Sequence, residues 1–474
     1  MVQQLNAQDA QFLYFQTGDL HTHIMGIYIY DPATASGGQV RFKDIVRQVR
    51  DRMHSSPVFR RKLYRLPLDF DHPYWVEDDH FDLEAHISHV RLPEPGDWRQ
   101  FCIHVARHFS RPMDMNRPLW DIYVIEGLDR IPGIAPGSYA LLHRVHHSAI
   151  DGTAGALMFA ALNDCDAAGT PAIELPKEPV AAGKQPALDV VLTRAAIANM
   201  RSPFNLTRTA MAFMPNLWGA FQDRLAKRDE QPAAGVPVTR FNAPVSPHKM
   251  FDAATFALSD VSALRRLVQG TTINDVVLAI CGGALRRYLD SHGELPDDSL
   301  IAIAPINARP SGAKAEAQGN NISAMTLKLS TTIADPVERL RAIRAHTADA
   351  KEARAGLSAR IMTDLSRHIP GATLAGIARM MSNRHLSFRQ ANLLISNVPG
   401  PQTQLYMNGA RLTHYYAMGP LANNLGLFLS VVSYNGQINF SITSEREMLP
   451  DISHLKDQIV EEFKALKSRV EAVA

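Results

Sequence analysis

Hydrophobic positions recur along this chain with two different periods. Phe42, Ile45, Val46, Val49 and Met53 fall at helical intervals, and Phe101, Cys102, Val105 and Phe109 repeat that spacing within Trp98–Phe109. Both stretches are predicted as amphipathic helices. Residues 1–175 alternate such helices with strand-like segments. Ser138–Val145 reads as a strand running into a loop, and Gly152–Leu162 as the helix after it. From Asp166 to Pro247 the texture changes. Four prolines from Pro171 to Pro186 and four from Pro232 to Pro247 bracket an Ala- and Arg-rich middle, which predicts a linker with helical pieces. Beyond it Phe251–Leu258 reads as a strand, Val261–Val268 as a helix, Asn274–Leu289 as a buried helix and Leu300–Ile306 as a strand. Near the end, Phe428–Tyr434 and Gln437–Ile442 flank Asn435-Gly436. Both central residues of a type I′ turn need positive φ, which Asn and Gly tolerate, so a hairpin is expected. Leu455, Ile459, Phe463 and Leu466 then mark a terminal amphipathic helix. The pattern predicts two α/β lobes, 1–175 and 248–474, joined by a crossover linker over 176–247.

Composition narrows the class. The 474 residues suit two or three domains, and 46% hydrophobic with 20% charged residues is the balance of a globular protein. Lys and Arg total 49 against 47 Asp and Glu, a formal +2, which gives no electrostatic case for a nucleic-acid partner. Cys102, Cys165 and Cys281 lie far apart, arguing against a disulfide framework or a cysteine zinc site and for a reducing compartment. The start, MVQQLNAQDAQFLYF, lacks the basic and apolar regions of a secretory signal. The longest apolar runs, such as Val276–Leu285, fall short of the ~18 residues of a membrane span. The expectation is a cytoplasmic protein, soluble or peripherally attached to a membrane.

One stretch carries candidate chemistry: His143-Arg-Val-His146-His147-Ser-Ala-Ile-Asp151-Gly152. Period-2 alternation sends His146 and His147 to opposite faces if the strand persists that far, so one of them can face a given cavity. Three other readings compete. A strand histidine is commonly structural. His143, His146, His147 and Asp151 could hold a metal, although no HExxH helix is present. The five-residue step from His146 to Asp151 also matches the His/Asp dyad of glycerol-phosphate acyltransferases, whose second motif is absent.

With its flanking segments the chain resembles the bacterial wax ester synthase/diacylglycerol O-acyltransferase family. The matching pieces run almost end to end. They are Leu5–Phe12, Pro73-Tyr-Trp75, Phe81-Asp82-Leu83, Arg117-Pro118-Leu119-Trp120, the HHxxxDG loop, Thr272-Ile-Asn274-Asp275, Pro305–Pro310, Gly319–Ser323, Ser396–Pro401 and Ser433–Gly436. The resemblance implies two chloramphenicol acetyltransferase-like lobes with mixed sheets and a tunnel between them. That tunnel would admit acyl-CoA and an acceptor, either diacylglycerol or a long-chain alcohol. It makes His147 the general base of a direct transfer that needs no cofactor and no acyl-enzyme. Asp151 becomes structural, paired with Arg309 of the other lobe, and Gly152 lets the chain turn into the helix. His146 supports the loop. Asn274 is a candidate polar group near the reacting centre, or else the N-cap of its helix. Pro118–Trp120 and Ser396–Pro401 read as backbone that shapes the tunnel, and Phe81–Leu83 as packing. A non-catalytic lipid-binding protein and an amide-forming condensation enzyme are the alternatives on this scaffold.

The linker adds an expectation of its own. Arg194, Arg201 and Arg208 recur every seven residues among Leu192, Ile197, Met200 and Phe204. That combination suits short interfacial helices attracted to an anionic membrane or lipid-droplet surface.

Overall fold

The computed structural model describes residues 3–150, 152–174, 183, 185–187, 189–197, 235–307, 322–354, 371–381 and 389–472. A small sheet joins β1 (Gln3–Gln4), β3 (Arg61–Tyr64) and β4 (Tyr74–Glu77). The first large sheet takes β2 (His23–Asp31), β5 (Ile87–Arg91), β6 (Trp120–Glu126) and β7 (Tyr139–His146). The second takes β8 (Lys249–Ala257), β9 (Ile301–Asn307), β10 (Ile322–Lys328), β11 (Leu393–Pro399), β14 (Leu427–Tyr434) and β15 (Gln437–Glu445), in the order β10-β9-β11-β14-β15-β8. Its β11 runs parallel to β9 and β14. The first sheet pairs β5 and β6 in parallel and is otherwise antiparallel. Both large sheets are therefore mixed, as expected.

The lobes are not confined to their own stretches of chain. Strands β12 (Tyr406–Met407) and β13 (Ala410–Met418) come from the C-terminal half, yet β13 pairs with β2, giving the first sheet the order β12-β13-β2-β7-β6-β5. The helix Gly371–Met381 likewise sends Ala375 and Ala378 into the first lobe's core, against the helix Ala7–Tyr14. Where the lobes meet, Trp98 Nε1 donates to Asp252 at 2.8 Å and Thr255 shares a 3.0 Å hydrogen bond with Tyr416.

Strand alternation sets which side chains meet which layer. Along β7, Ala140 and Leu142 pack on Phe101, Val105 and Phe109 of the helix Trp98–Ser110, while Tyr139, Leu141 and Val145 face Trp120 and Phe159. In the second lobe the apolar run Val276–Leu285 is buried throughout, inside the helix Ile273–Ser291. The helix Ile452–Glu471 packs through Leu455, Ile459, Phe463 and Leu466, as its spacing predicts. Gly283 is required at their crossing, because a Cβ there would sit 2.2 Å from the Glu462 carboxyl carbon. That carboxylate is buried and paired with Arg339 and Arg287.

One local expectation needs adjustment. The helix expected at Val261–Val268 begins at Leu258 and tightens after Ala263 into a 3₁₀ turn, Leu264–Leu267. There the i, i+3 spacing of Leu264 and Leu267 lays both on the core. The hairpin is as predicted, with Asn435 and Gly436 at φ 42° and 78°. All three cysteines are free thiols.

Candidate active site

Strand β7 lies between β2 and β6, and its pairing ends at His146 opposite His23. The backbone stays tied one residue further, because His147 N–H donates to Thr22 O at 3.1 Å. Ala149 N–H then closes a turn on His146 O, and the helix Gly152–Leu162 begins at the expected glycine. His147 therefore sits on a turn just past the strand, placed by its neighbours and not by strand alternation.

The two histidine rings take different partners. His146 Nδ1 lies 2.7 Å from the Ser148 hydroxyl and accepts the Ser148 N–H at 3.2 Å. Its Nε2 meets Gln16 Oε1 at 2.8 Å and Thr22 Oγ1 at 3.0 Å. The Thr22 hydroxyl already donates to Phe12 O at 2.6 Å, so it accepts from the ring. His146 is thus held as the Nε2–H tautomer. Burial, with His147 and His21 nearby, pushes it down to about 3. Neither nitrogen is left for a proton transfer or a metal. Among the described residues no group of His, Cys, Asp and Glu side chains is arranged to hold one.

His147 keeps partial solvent access, although its Nδ1 is fully inside. Its ring stacks on Phe12 with centroids 4.0 Å apart and planes 12° from parallel. Burial lowers its pKa to about 4, against the opposing pull of a hydrogen bond with its own main chain. At neutral pH the imidazole is uncharged, the form a general base requires.

Several supports were not assigned from sequence. Arg61 donates to Ala149 O at 2.8 Å while its guanidinium lies 4.5 Å over Trp75. Beneath the strand end, buried Arg144 pairs with Asp121 through Nε at 3.2 Å and donates to His108 O at 3.0 Å. His108 Nε2 meets the same carboxylate at 2.9 Å. Leu119 O takes the His146 N–H, and Trp120 is buried with its indole donating to Phe59 O, so Pro118–Trp120 is a structural wall. The flags available were the Leu5–Phe12 and Arg117–Trp120 motifs, which name these segments without saying what they touch. Phe81 and Leu83 pack as read, with Phe81 stacked 5.3 Å from His86.

Asn274 belongs to the other lobe. It is not the N-cap, because Thr272 and Asp275 form a capping box around it. Its Oδ1 instead accepts from Asn397 Nδ2 on β11 at 3.2 Å, joining the Thr272–Asp275 and Ser396–Pro401 motifs. Asp275 also accepts from Thr347, pinning the helix Pro336–Arg354. Asp151 and Arg309 lie outside the described residues. Two open depressions, of about 810 and 540 Å³, are lined by residues such as Arg60, Glu77 and Asp82 and by Gln48, Arg52 and Asn408, respectively. Neither includes His146 or His147.

Comparison with known proteins agrees in extent with this arrangement. The wax ester synthase/diacylglycerol acyltransferase catalytic domain matches residues 5–277, and the WS/DGAT C-terminal domain matches residues 318–467. Two Mycobacterium tuberculosis proteins, provisionally named diacylglycerol O-acyltransferases, are each 32% identical. One alignment covers 98% of this chain and 90% of the relative, the other 94% and 92%. Among solved structures, the wax ester synthase/diacylglycerol acyltransferase of Marinobacter aquaeolei VT8 superposes with a TM-score of 0.68 at 26% identity, covering 99% of this chain and 100% of that one. The first condensation domain of the calcium-dependent antibiotic synthetase shares the fold at a TM-score of 0.56 and 14% identity, over 98% and 97% of the two chains. On a match of this length the chain belongs to the wax ester synthase/diacylglycerol acyltransferase family.

Proposed function

We propose that this acyltransferase moves a long-chain acyl group from acyl-CoA to the hydroxyl of diacylglycerol or of a long-chain alcohol, with His147 as general base. The observation that carries this reading is His147 on the turn past the strand end, partly open to solvent, beside a His146 whose nitrogens are both engaged. The base removes the hydroxyl proton as the oxygen attacks the thioester carbonyl. When the tetrahedral adduct collapses, the C–S bond breaks and the imidazolium returns its proton to the departing CoA sulfur. The ester forms directly, and no cofactor or acyl-enzyme enters. Asn274, steadied by Asn397, is the polar group offered from the second lobe.

One assay separates the alternatives: labelled acyl-CoA offered with a fatty alcohol, a diacylglycerol and an amine. Ester from either alcohol, lost in His147→Ala, supports the reading. Amide would make the protein a condensation enzyme, and no product at all would make it a lipid-binding relative.

The acceptors and products are water-insoluble, so we also propose peripheral contact with a membrane or droplet surface. No helix among the described residues is long and apolar enough to cross a membrane. The helix at 189–197 buries Val191 and Ala195 against Leu66 and Tyr74, yet leaves Val190, Leu192 and Ile197 40–45% exposed beside Arg194. An outward apolar face with a cation suits an anionic interface. Arg201 and Arg208 lie outside the described residues. Loss of sedimentation with anionic vesicles on changing Arg194, Arg201 and Arg208 to Glu, with a soluble alcohol still acylated, would support the contact. Unchanged sedimentation would remove it.

A further inference from the structure

The N-terminal helix is patterned for its fold, with one exception. Asn6 caps it by accepting from Asp9 N–H, and Ala7, Ala10, Leu13 and Tyr14 are its buried positions. Phe12 points to the opposite side, where a surface helix ordinarily carries a polar residue. It is half-buried, and the ring it stacks on belongs to His147. The following loop adds three more ties. Gln16 and the Thr22 hydroxyl hold the His146 ring, and Thr22 O accepts the His147 N–H. Thr22 also donates to Phe12 O, which locks the end of the helix to the same loop. One short segment therefore grips both histidines, and while Tyr14 joins the core, the Phe12 ring lies on the imidazole.

We propose that Phe12 is a positioning residue for the transfer, its ring fixing the plane of the His147 imidazole and keeping water from that face while the proton moves. The reasoning is geometric. The torsion that turns an imidazole about its Cβ–Cγ bond is broad, so the strand end alone leaves the ring plane undetermined. A parallel ring at 4.0 Å selects one plane. A base misplaced by about 1 Å can lose roughly a hundredfold in rate. This deepens the reading of His147 as the base and rests on it.

Among the described residues, the titratable and charged groups around this ring are few. They are His146 beside it, His21 beyond His146, and Arg61, which reaches Ala149 O and has Asp9 in front of it. An aromatic face favours a cation, whereas exclusion of water disfavours one. Burial is the larger cause at His147, so removing the Phe12 ring should let its titration rise.

The test uses the full-length protein with Phe12→Ala, Phe12→Tyr and Phe12→Leu, and follows two readouts. Histidine-labelled NMR, with the His147 signal identified by its loss in His147→Ala, gives the titration independently of turnover. Acylation of a soluble short alcohol gives kcat and KM. Phe12→Ala should move the His147 midpoint up from about 4 by about one pH unit or more, and lower kcat roughly ten- to a hundredfold with KM little changed. Phe12→Tyr should restore both. Phe12→Leu, which keeps apolar bulk without a planar face, should lower kcat even if the alanine variant does not fold. An unchanged or lower midpoint together with wild-type kcat overturns the proposal. A raised midpoint with wild-type kcat leaves the grip on the ring standing and overturns His147 as the base.

Discussion

The two lobes differ in one kind of buried polar group, the imidazole. In the first, His21, His23, His86, His108, His143 and His146 are all buried, whereas no described histidine of the second lobe is. Burial is the leading cause that holds His21, His143 and His147 down at about 4 and His146 at about 3. Fixed partners are buried in both: the Arg339–Glu462 pair, Asp275 within its capping box, Asn392 and Asn439 in the second lobe, and the Arg52–Asp164 pair and Arg144 against Asp121 in the first. A neutral imidazole with a nitrogen to spare can accept a proton from a reacting group, whereas a guanidinium locked to a carboxylate cannot. On the proposed reading, proton transfer falls to the first lobe, and the second contributes scaffold and the Asn274–Asn397 pair.

The sharpest test of that contrast is His147→Ala. It should cost about 10²–10⁴ in kcat, the range of a positioned general base, at an unchanged melting temperature. Near-normal turnover in a folded variant would dissolve the contrast. Next comes Arg144→Met, which leaves the half-buried Asp121 with His108 beside it and should cost about 3 kcal/mol in denaturant unfolding. A loss below 1 kcal/mol would show that His108 alone compensates that carboxylate.

Acidification should separate the lobes with an intermediate effect. A histidine whose folded pKa lies below its unfolded value of about 6.5 contributes stability that is complete above that pH and lost as pH falls through the window towards about 4. Each such group costs about 1.4 kcal/mol per pH unit within the window. Hydrogen exchange at pH 5 and 7, corrected for intrinsic rates, should show the first lobe losing protection before the second. Equal loss in both would refute the prediction. The smallest effect is expected from Thr272→Ala, about 1 kcal/mol for the lost cap, with kcat unchanged because Asn274 keeps its Asn397 partner. A fall in kcat as large as that of Asn274→Ala would mean that the cap itself sets Asn274.

Local patterns were legible because backbone geometry imposes them within a few residues. The period-3.6 stripes of Phe42–Met53 and Trp98–Phe109 became helices at those places, and Asn435-Gly436 became the turn between β14 and β15. His147 stood out for the same reason, as part of a contiguous motif at a strand end. Partners far along the chain left no such mark. Gln16 reaches His146 across 130 positions, and Asn274 reaches Asn397 across 123. Strand β13 crosses to the first sheet although its own alternation would suit either lobe. The sequence by itself determined which segments are helix or strand and which residues can carry the chemistry, since both depend on local periodicity and side-chain type. Only the tertiary structure decided that Phe12, Gln16 and Thr22 close on the histidines and that Asp121 is Arg144's partner, because those contacts exist only once distant segments are packed against one another.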